Sequence, residues 1–307
     1  MQSIASRRNV EWLTVGLAVA VYGGWMAVTL LQAHLPTPVL AVLGGWLIAW
    51  QGSLQHEIIH GHPTASRRLN EALGAAPLSL WLPFTVYRRS HLLHHACEHL
   101  AHPDHDPEAR YLGLGSGWRH RTVRFIAGLQ ATLIGRLLVG PFVEVARLGW
   151  DEARRVARGE PGARAEWAAH AAGVAVVMTW LIAVCQLSLA RYLLCFVYPG
   201  IALSLLRSFA EHRADATPGG QVAVVENAPV LGLLFLNNNL HAAHHAWPTL
   251  PWWRLPARYR IHRPALLSAN GGLVYDGYGE VFARFAVRPH HTLEHPAFAP
   301  PTGEAAA

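Results

Sequence analysis

Lysine is missing from this chain: the 25 cations in its Lys and Arg count are all arginine. Charge of either sign is scarce, at 14% of 307 residues, where a soluble globular domain carries about 25%. So little water-facing surface excludes an ordinary soluble domain and points to a protein embedded in a membrane. Cysteine is nearly absent too. Cys97, Cys185 and Cys195 show no paired spacing, and two of them lie in apolar runs. That excludes a disulfide framework or a cysteine-based zinc site and leaves reduced core residues. The net charge of +6 would suit nucleic acid, but no basic-aromatic recognition pattern accompanies it. A cleavable signal peptide is not expected either, because the first apolar run is too long and lacks a small-residue cleavage site.

Histidine is what the chain has in quantity, and its spacing is informative. His91-Leu92-Leu93-His94-His95 and His241-Ala242-Ala243-His244-His245 both read His-x-x-His-His, and His56-Glu57-Ile58-Ile59-His60 adds two imidazoles at i, i+4. On a helix these spacings bring rings to one face over adjacent turns. Packing alone asks for no such pattern. The flanks of the two His-x-x-His-His groups differ, so they read as shared chemistry rather than an internal repeat.

Apolar runs predict four transmembrane helices, at about residues 12–35, 39–59, 168–189 and 192–210, each near the roughly 20 residues a bilayer requires. Pro36 and Pro38 mark the first turn. Two further apolar stretches, Pro77 to Val86 and Phe125 to Val145, contain Pro83, Arg136 and Pro141 and read as interfacial or amphipathic pieces. Four spans return both termini to one side, together with segments 61–167 and 211–307. Arg7, Arg8, the arginines between Arg67 and Arg164, and those from Arg207 onward fall on that side, leaving Arg191 in an opposite turn. The positive-inside rule makes the shared side cytoplasmic. Every histidine group and His212 then sits on the cytoplasmic face. The expected fold is an all-α integral membrane protein, with two hairpins of transmembrane helices and a cytoplasmic helical cap carrying the histidines. It forms a single domain over 1–307 with a Pro- and Ala-rich tail (about 296–307) that reads as disordered.

Imidazole suits iron, zinc, copper and nickel. His56, His60, His91, His94, His95, His241, His244 and His245, with His212 at the matching depth, make nine neutral ligands: too many for one ion and a fit for two. Two metals above apolar helices that could enclose an alkyl chain suggest oxidation of an unactivated C–H bond. Such a bond has no acid-base handle, so a redox metal and dioxygen must carry the hard step.

In this order and around these helices, the three boxes resemble the integral-membrane fatty acid desaturases. The resemblance runs from about Gln55 to Pro256 and extends to the flanks Gly61-His62-Pro63, Arg207 to Arg213 and His244-His245-Ala246-Trp247-Pro248. It implies two non-haem irons held by the eight box histidines with His212 as an extra ligand, and Asn237 or Asn238 as a water-mediated contact. It also implies O2 as co-substrate, a lipid or acyl substrate (acyl-lipid, acyl-CoA or acyl-ACP) and the inner, cytoplasmic membrane. Related hydroxylases and carotenoid ketolases share the boxes. A fused cytochrome would show His-Pro-Gly-Gly, but Thr217-Pro218-Gly219-Gly220 lacks that histidine, so a separate ferredoxin-like donor is expected. His62, Glu98 and His99, along with Asp104 and Asp106, are candidates to orient a ligating ring. Arg254 and Arg258 are candidates for binding an acidic donor or an anionic headgroup.

Other readings explain less. His56-Glu57-x-x-His60 matches the zinc metalloprotease motif with Glu57 as general base, but leaves both His-x-x-His-His groups idle. A soluble carboxylate-bridged di-iron bundle needs two Glu-x-x-His motifs, and Glu57-x-x-His60 is the one present. A metal or haem carrier would place its histidines near mid-membrane rather than at helix exits.

Overall fold

The computed structural model describes residues 10–109, 112, 118–214 and 221–296. Arg7, Arg8, the Thr217-Pro218-Gly219-Gly220 loop and the tail beyond residue 296 lie outside the described residues. The architecture is mostly helical. Four helices are long and apolar enough to cross a membrane: Trp12–Leu30, Thr37–Ile59, Ala163–Val184 and Leu189–Glu211. Their outward faces carry bare apolar side chains, with Val19 68%, Val42 68%, Val176 71% and Leu194 64% exposed. In water such faces would be a liability, and in hydrocarbon they need no partner.

The first span is α1 (Trp12–Leu30), and the chain then tightens into one turn, Gln32–His34, ahead of Pro36. The expected run to residue 35 is therefore shorter, because Gln32 leaves the helix to bond the Cys185 carbonyl at 3.2 Å. The second span is α2 (Thr37–Ile59), with Pro38 in its first turn where a missing N–H costs nothing. A short α3 (Arg67–Gly74) is capped by Ser66, and α4 (Phe84–His95) follows Pro83. Phe125 to Val145 divides between α5 (Trp118–Gln130) and α6 (Leu133–Ala157), with Thr132 capping the second through Gly135 N.

The third span lies about five residues earlier than hydropathy predicts. It runs as α7 (Ala163–Thr179) into a π-helical turn, Trp180–Val184. The chain then reverses through Gln186 at φ +53, and Ser188 caps the next helix. Apolar Leu187 and Leu189 hide that reversal from a hydropathy count. The fourth span comprises α8 (Leu189–Tyr192), a π turn at Leu193–Val197, and α9 (Tyr198–Glu211). Arg191 closes the reversal by donating to the Gln32 carbonyl at 3.1 Å.

The second and fourth spans pack against each other most extensively, and glycine makes this possible. A Cβ on Gly200 would lie 2.5 Å from Ile48, and one on Gly44 2.6 Å from the Cys195 carbonyl. Around that seam the core gathers Leu47, Ile48, Tyr192, Phe196 and Ile201.

After α9 come α10 (Pro229–Leu234), α11 (His241–Ala246), α12 (Leu255–Ala269) and α13 (Gly277–Phe285). The all-α expectation needs one amendment. β1 (Val224–Val225) pairs in parallel with β2 (Val274–Tyr275). On one side the Val224 and Glu226 N–H groups reach the Leu273 and Tyr275 carbonyls at 3.1 and 2.9 Å; on the other the Val225 N–H reaches the Asn239 carbonyl at 2.8 Å, and the Ala242 N–H reaches Ala223 at 3.1 Å. The strand thus fastens the third histidine group to the C-terminal segment.

Replacing Gly200 by Leu should cost about 1–3 kcal/mol through overpacking against Ile48. Thermal unfolding in detergent should drop by several degrees. An unchanged melting temperature would contradict the seam.

Candidate metal centre

Helix ends deliver the site. His56 and His60 close α2, and His91, His94 and His95 occupy the last two turns of α4. His212 follows α9 directly, and α11 carries His241, His244 and His245. These four segments meet in one place. The nine histidines sort into two groups, His56/His60/His91/His95/His244 and His94/His212/His241/His245, and within each group the ligand atoms lie within 4.8 Å of one another.

The sorting follows helix geometry. In each His-x-x-His-His the i, i+4 pair shares a face, and the remaining residue turns aside. His91 and His95 join the first group and send His94 to the second. His241 and His245 join the second group and send His244 to the first. The two boxes thus exchange their odd member, which locks α4 to α11. His95 and His245 stack at the junction with centroids 4.4 Å apart.

Ring nitrogens crowd inward. Nε2 of His60 lies 3.0 Å from Nε2 of His91, and the His91–His95 and His95–His244 distances are 3.1 and 3.0 Å. In the second group Nε2 of His241 is 2.9 Å from His212 and 3.2 Å from His245. Burial pushes His60 down to about 2 and His95 and His212 to about 3, with the neighbouring imidazoles adding to it. Neutral imidazole is the metal-binding form.

Outer partners decide which nitrogen faces in. His94 Nδ1 meets Asp106 at 2.9 Å, His91 Nδ1 meets Glu108 at 3.1 Å, and His241 Nδ1 meets Asn238 Oδ1 at 3.1 Å with Glu211 at 3.4 Å. His212 Nδ1 donates to the Gln221 carbonyl at 3.3 Å. With the proton on Nδ1, each Nε2 presents a lone pair to the centre. Buried Nε2 atoms of His56 and His94, one in each group, have no hydrogen-bond partner. An orphaned imidazole nitrogen in each half is what a metal ligand looks like without its ion, so the donor set fits two cations.

Asp106 is the most tightly held of these supports. Its carboxylate accepts from the backbone N–H groups of Ala101 and Glu108 at 2.8 and 2.9 Å besides His94. Burial alone would raise this carboxyl, but those hydrogen bonds hold it below its ordinary value. His94 moves the other way: burial opposes its charge, and Glu108 and Asp106 together raise it.

Other sequence candidates fall elsewhere. His62 Nδ1 pairs with Glu11 at 2.8 Å, away from the ligating rings. Glu98 and His99 are exposed in the turn after α4, and His99 meets His105 and His102 instead. Asn238 supports His241 directly, while Asn237 donates to the Trp252 carbonyl at 3.0 Å. Glu108 escaped the sequence reading, although the acid-rich run Asp104-His105-Asp106-Pro107-Glu108 behind the second box was its signal. Glu57 belongs to neither histidine group. Its carboxylate accepts from the Trp252 backbone N–H at 3.1 Å, which ties α2 to the third-box segment.

The fatty acid desaturase family model matches residues 33–277. The chain belongs to the fatty acid desaturase family. Among relatives of known activity, the zeaxanthin 4-ketolase of Chlamydomonas reinhardtii is 25% identical over 227 residues. That alignment covers 69% of this chain and 42% of the relative, so the match spans less than half of the ketolase's length. Desaturases of this family are di-iron enzymes, and the two histidine groups have the composition such a centre needs.

Asp106→Ala should weaken metal retention about 10- to 100-fold, with loss concentrated in the four-histidine group; metal content per chain after dialysis reads this. Retention equal to wild type would contradict the orienting role. Glu57→Gln keeps an acceptor for Trp252 and should leave both metal content and activity near wild type, whereas loss of a general base would abolish activity with the metal retained.

Proposed function

We propose that this protein is an O2-dependent di-iron oxidoreductase of the membrane that desaturates the alkyl chain of a lipid, receiving electrons from a separate ferredoxin-like carrier. The observation that carries this reading is the five-plus-four division of nine histidines with an orphaned buried nitrogen in each group. Iron bound there would supply the oxygen activation that no side chain can. The nine histidines named above are the ligands in this reading.

The chain's own contribution is positional. Asp106, Glu108, Asn238 and the Gln221 carbonyl orient His94, His91, His241 and His212, turning the Nε2 of each toward the centre. A cavity of about 360 Å³ adjoins the first group, with Glu108, Gln55 and Tyr87 in its wall, and continues along α2 and α9 past Ile48 and Ile201. The Tyr87 ring stands 5.9 Å from His91. A lipid entering along the two spans would therefore present its chain beside the histidines. Arginine distribution supports the inner membrane as the location, with both termini and the histidines on the cytoplasmic side. A single domain formed by two helical hairpins and a cap accommodates all of this. Arg254 and Arg258 lie exposed near the third box, with their guanidinium groups over Trp253 and Trp247 at 4.6 and 5.1 Å, and suit an acidic donor.

Insertion of oxygen, by a hydroxylase or ketolase, is the second reading. The relationship to a carotenoid ketolase favours it, and it uses the same centre.

Lipid profiles of cells expressing the chain beside its His244→Ala variant should show a new double bond only with the intact protein. A hydroxyl or keto product would select the second reading. Identical profiles in an iron-replete host with a reducing partner would contradict both.

A further inference from the structure

The cavity beside the first histidine group has mostly apolar walls, among them Leu82, Val86, Leu93, Ile201, Leu205 and Phe235, with polar groups set into them. Hydrocarbon asks for apolar walls, yet five serines line this space: Ser53, Ser79, Ser90, Ser204 and Ser208. Three have already placed their proton. Ser53 donates to the Ala49 carbonyl at 3.1 Å, Ser204 to Gly200 at 3.1 Å and Ser208 to Leu205 at 3.4 Å. A hydroxyl owns one proton and two lone pairs, so these three offer acceptors to whatever lies in the cavity. The matching guest is a hydrogen-bond donor.

Charge narrows the class. Glu108, Glu144, Asp151 and Glu152 line the space against Arg89, Arg147 and Arg207. Those guanidinium groups are taken: Arg89 by Glu152 and Glu166, Arg207 by Glu211, and Arg147 by the carbonyls of Pro107 and Ala109. A free carboxylate or phosphate would enter against an excess of negative charge and find no open cation. Three of the carboxylates are likewise taken, Glu152 by Arg89, Arg155 and Trp167, Glu108 by His91 and Asp151 by Arg147, so an ammonium group finds no ready partner among them. An uncharged donor remains, and a hydroxyl is the simplest.

Position ties this to the metal centre. Ser53 stands three residues before His56 on α2, and Ser208 four residues before His212 at the end of α9. Ser53 thus lies about one helical turn from His56 on the same face, while His212 follows the last turn of α9 in extended backbone.

We propose that this cavity binds an uncharged lipid bearing a hydroxyl group and that Ser53, Ser204 and Ser208 recognise that hydroxyl. The proposal rests on the reading of the cavity as the substrate site.

The test is competitive binding to purified, metal-loaded protein in lipid nanodiscs, with octadecane, octadecanol, octadecylamine and stearate as probes. Octadecanol should bind about fivefold more tightly than octadecane, as expected for one neutral hydrogen bond donated to a serine oxygen. In the S53A/S204A double variant the preference should fall to about twofold while octadecane binding and metal content stay unchanged. Alanine is the better helix former at both positions, so folding is preserved. S208A alone should lower the preference by a smaller factor. Equal binding of alcohol and hydrocarbon, or a preference that survives in the double variant, would overturn the proposal. Tighter binding of octadecylamine or stearate would overturn it too, as would no binding of any probe. A wild-type preparation without bound iron would sink the oxidoreductase reading instead, and the alcohol preference would still be measured.

Discussion

Nine neutral imidazoles turned toward two points are an electrostatic problem before they are a catalyst. Nitrogen lone pairs about 3 Å apart gain nothing from each other, and burial opposes the charge that a second proton would bring, although Glu108 and Asp106 raise His94 against it. Only a cation at each point makes the arrangement favourable. The scaffold must therefore hold the rings against their own repulsion until metal arrives. The rest of the chain reads as the means of doing so.

Rigid helix ends, rather than loops, carry eight of the nine rings. The close seam of α2 and α9 sets the distance between the first box and His212, and glycines at 44 and 200 let the two backbones approach. The odd-member exchange between α4 and α11 makes the two halves of the centre interdependent, because neither box can shift without disturbing both groups. Supports that touch no metal position do the fine adjustment: Asp106 within its ring of backbone N–H groups, Asn238 against His241, and Glu57 clasping the Trp252 peptide. The carboxylates nearest the rings act through tautomer and orientation, so the inner donor set remains all nitrogen.

Much of this was legible in the sequence. Apolar runs located four spans, and box spacing picked out eight of the nine histidines that the structure gathers, His212 being added from its depth at a helix exit. What spacing could not encode was rotation. Whether His94 or His95 shares a group with His60 depends on how α4 is turned against α2, which is decided by packing at Phe84, Ile58 and Ile59. Asp106 and Glu108 reach their rings through a loop whose path composition does not dictate, so Glu98 and His99 looked equally eligible. The reversal at Cys185–Ser188 was masked by leucines on either side. The parallel β pair joins residues fifty positions apart, beyond any local pattern. The polar lining of the cavity was invisible for the same reason, since its serines come from separate helices.

Iron K-edge X-ray absorption on the purified, reduced protein addresses the central claim most directly. The account predicts a first shell of light donors dominated by imidazole, averaging four to five per iron from the five- and four-histidine groups, with no sulfur. A first shell dominated by carboxylate oxygen, or metal present only as a single zinc, would contradict it.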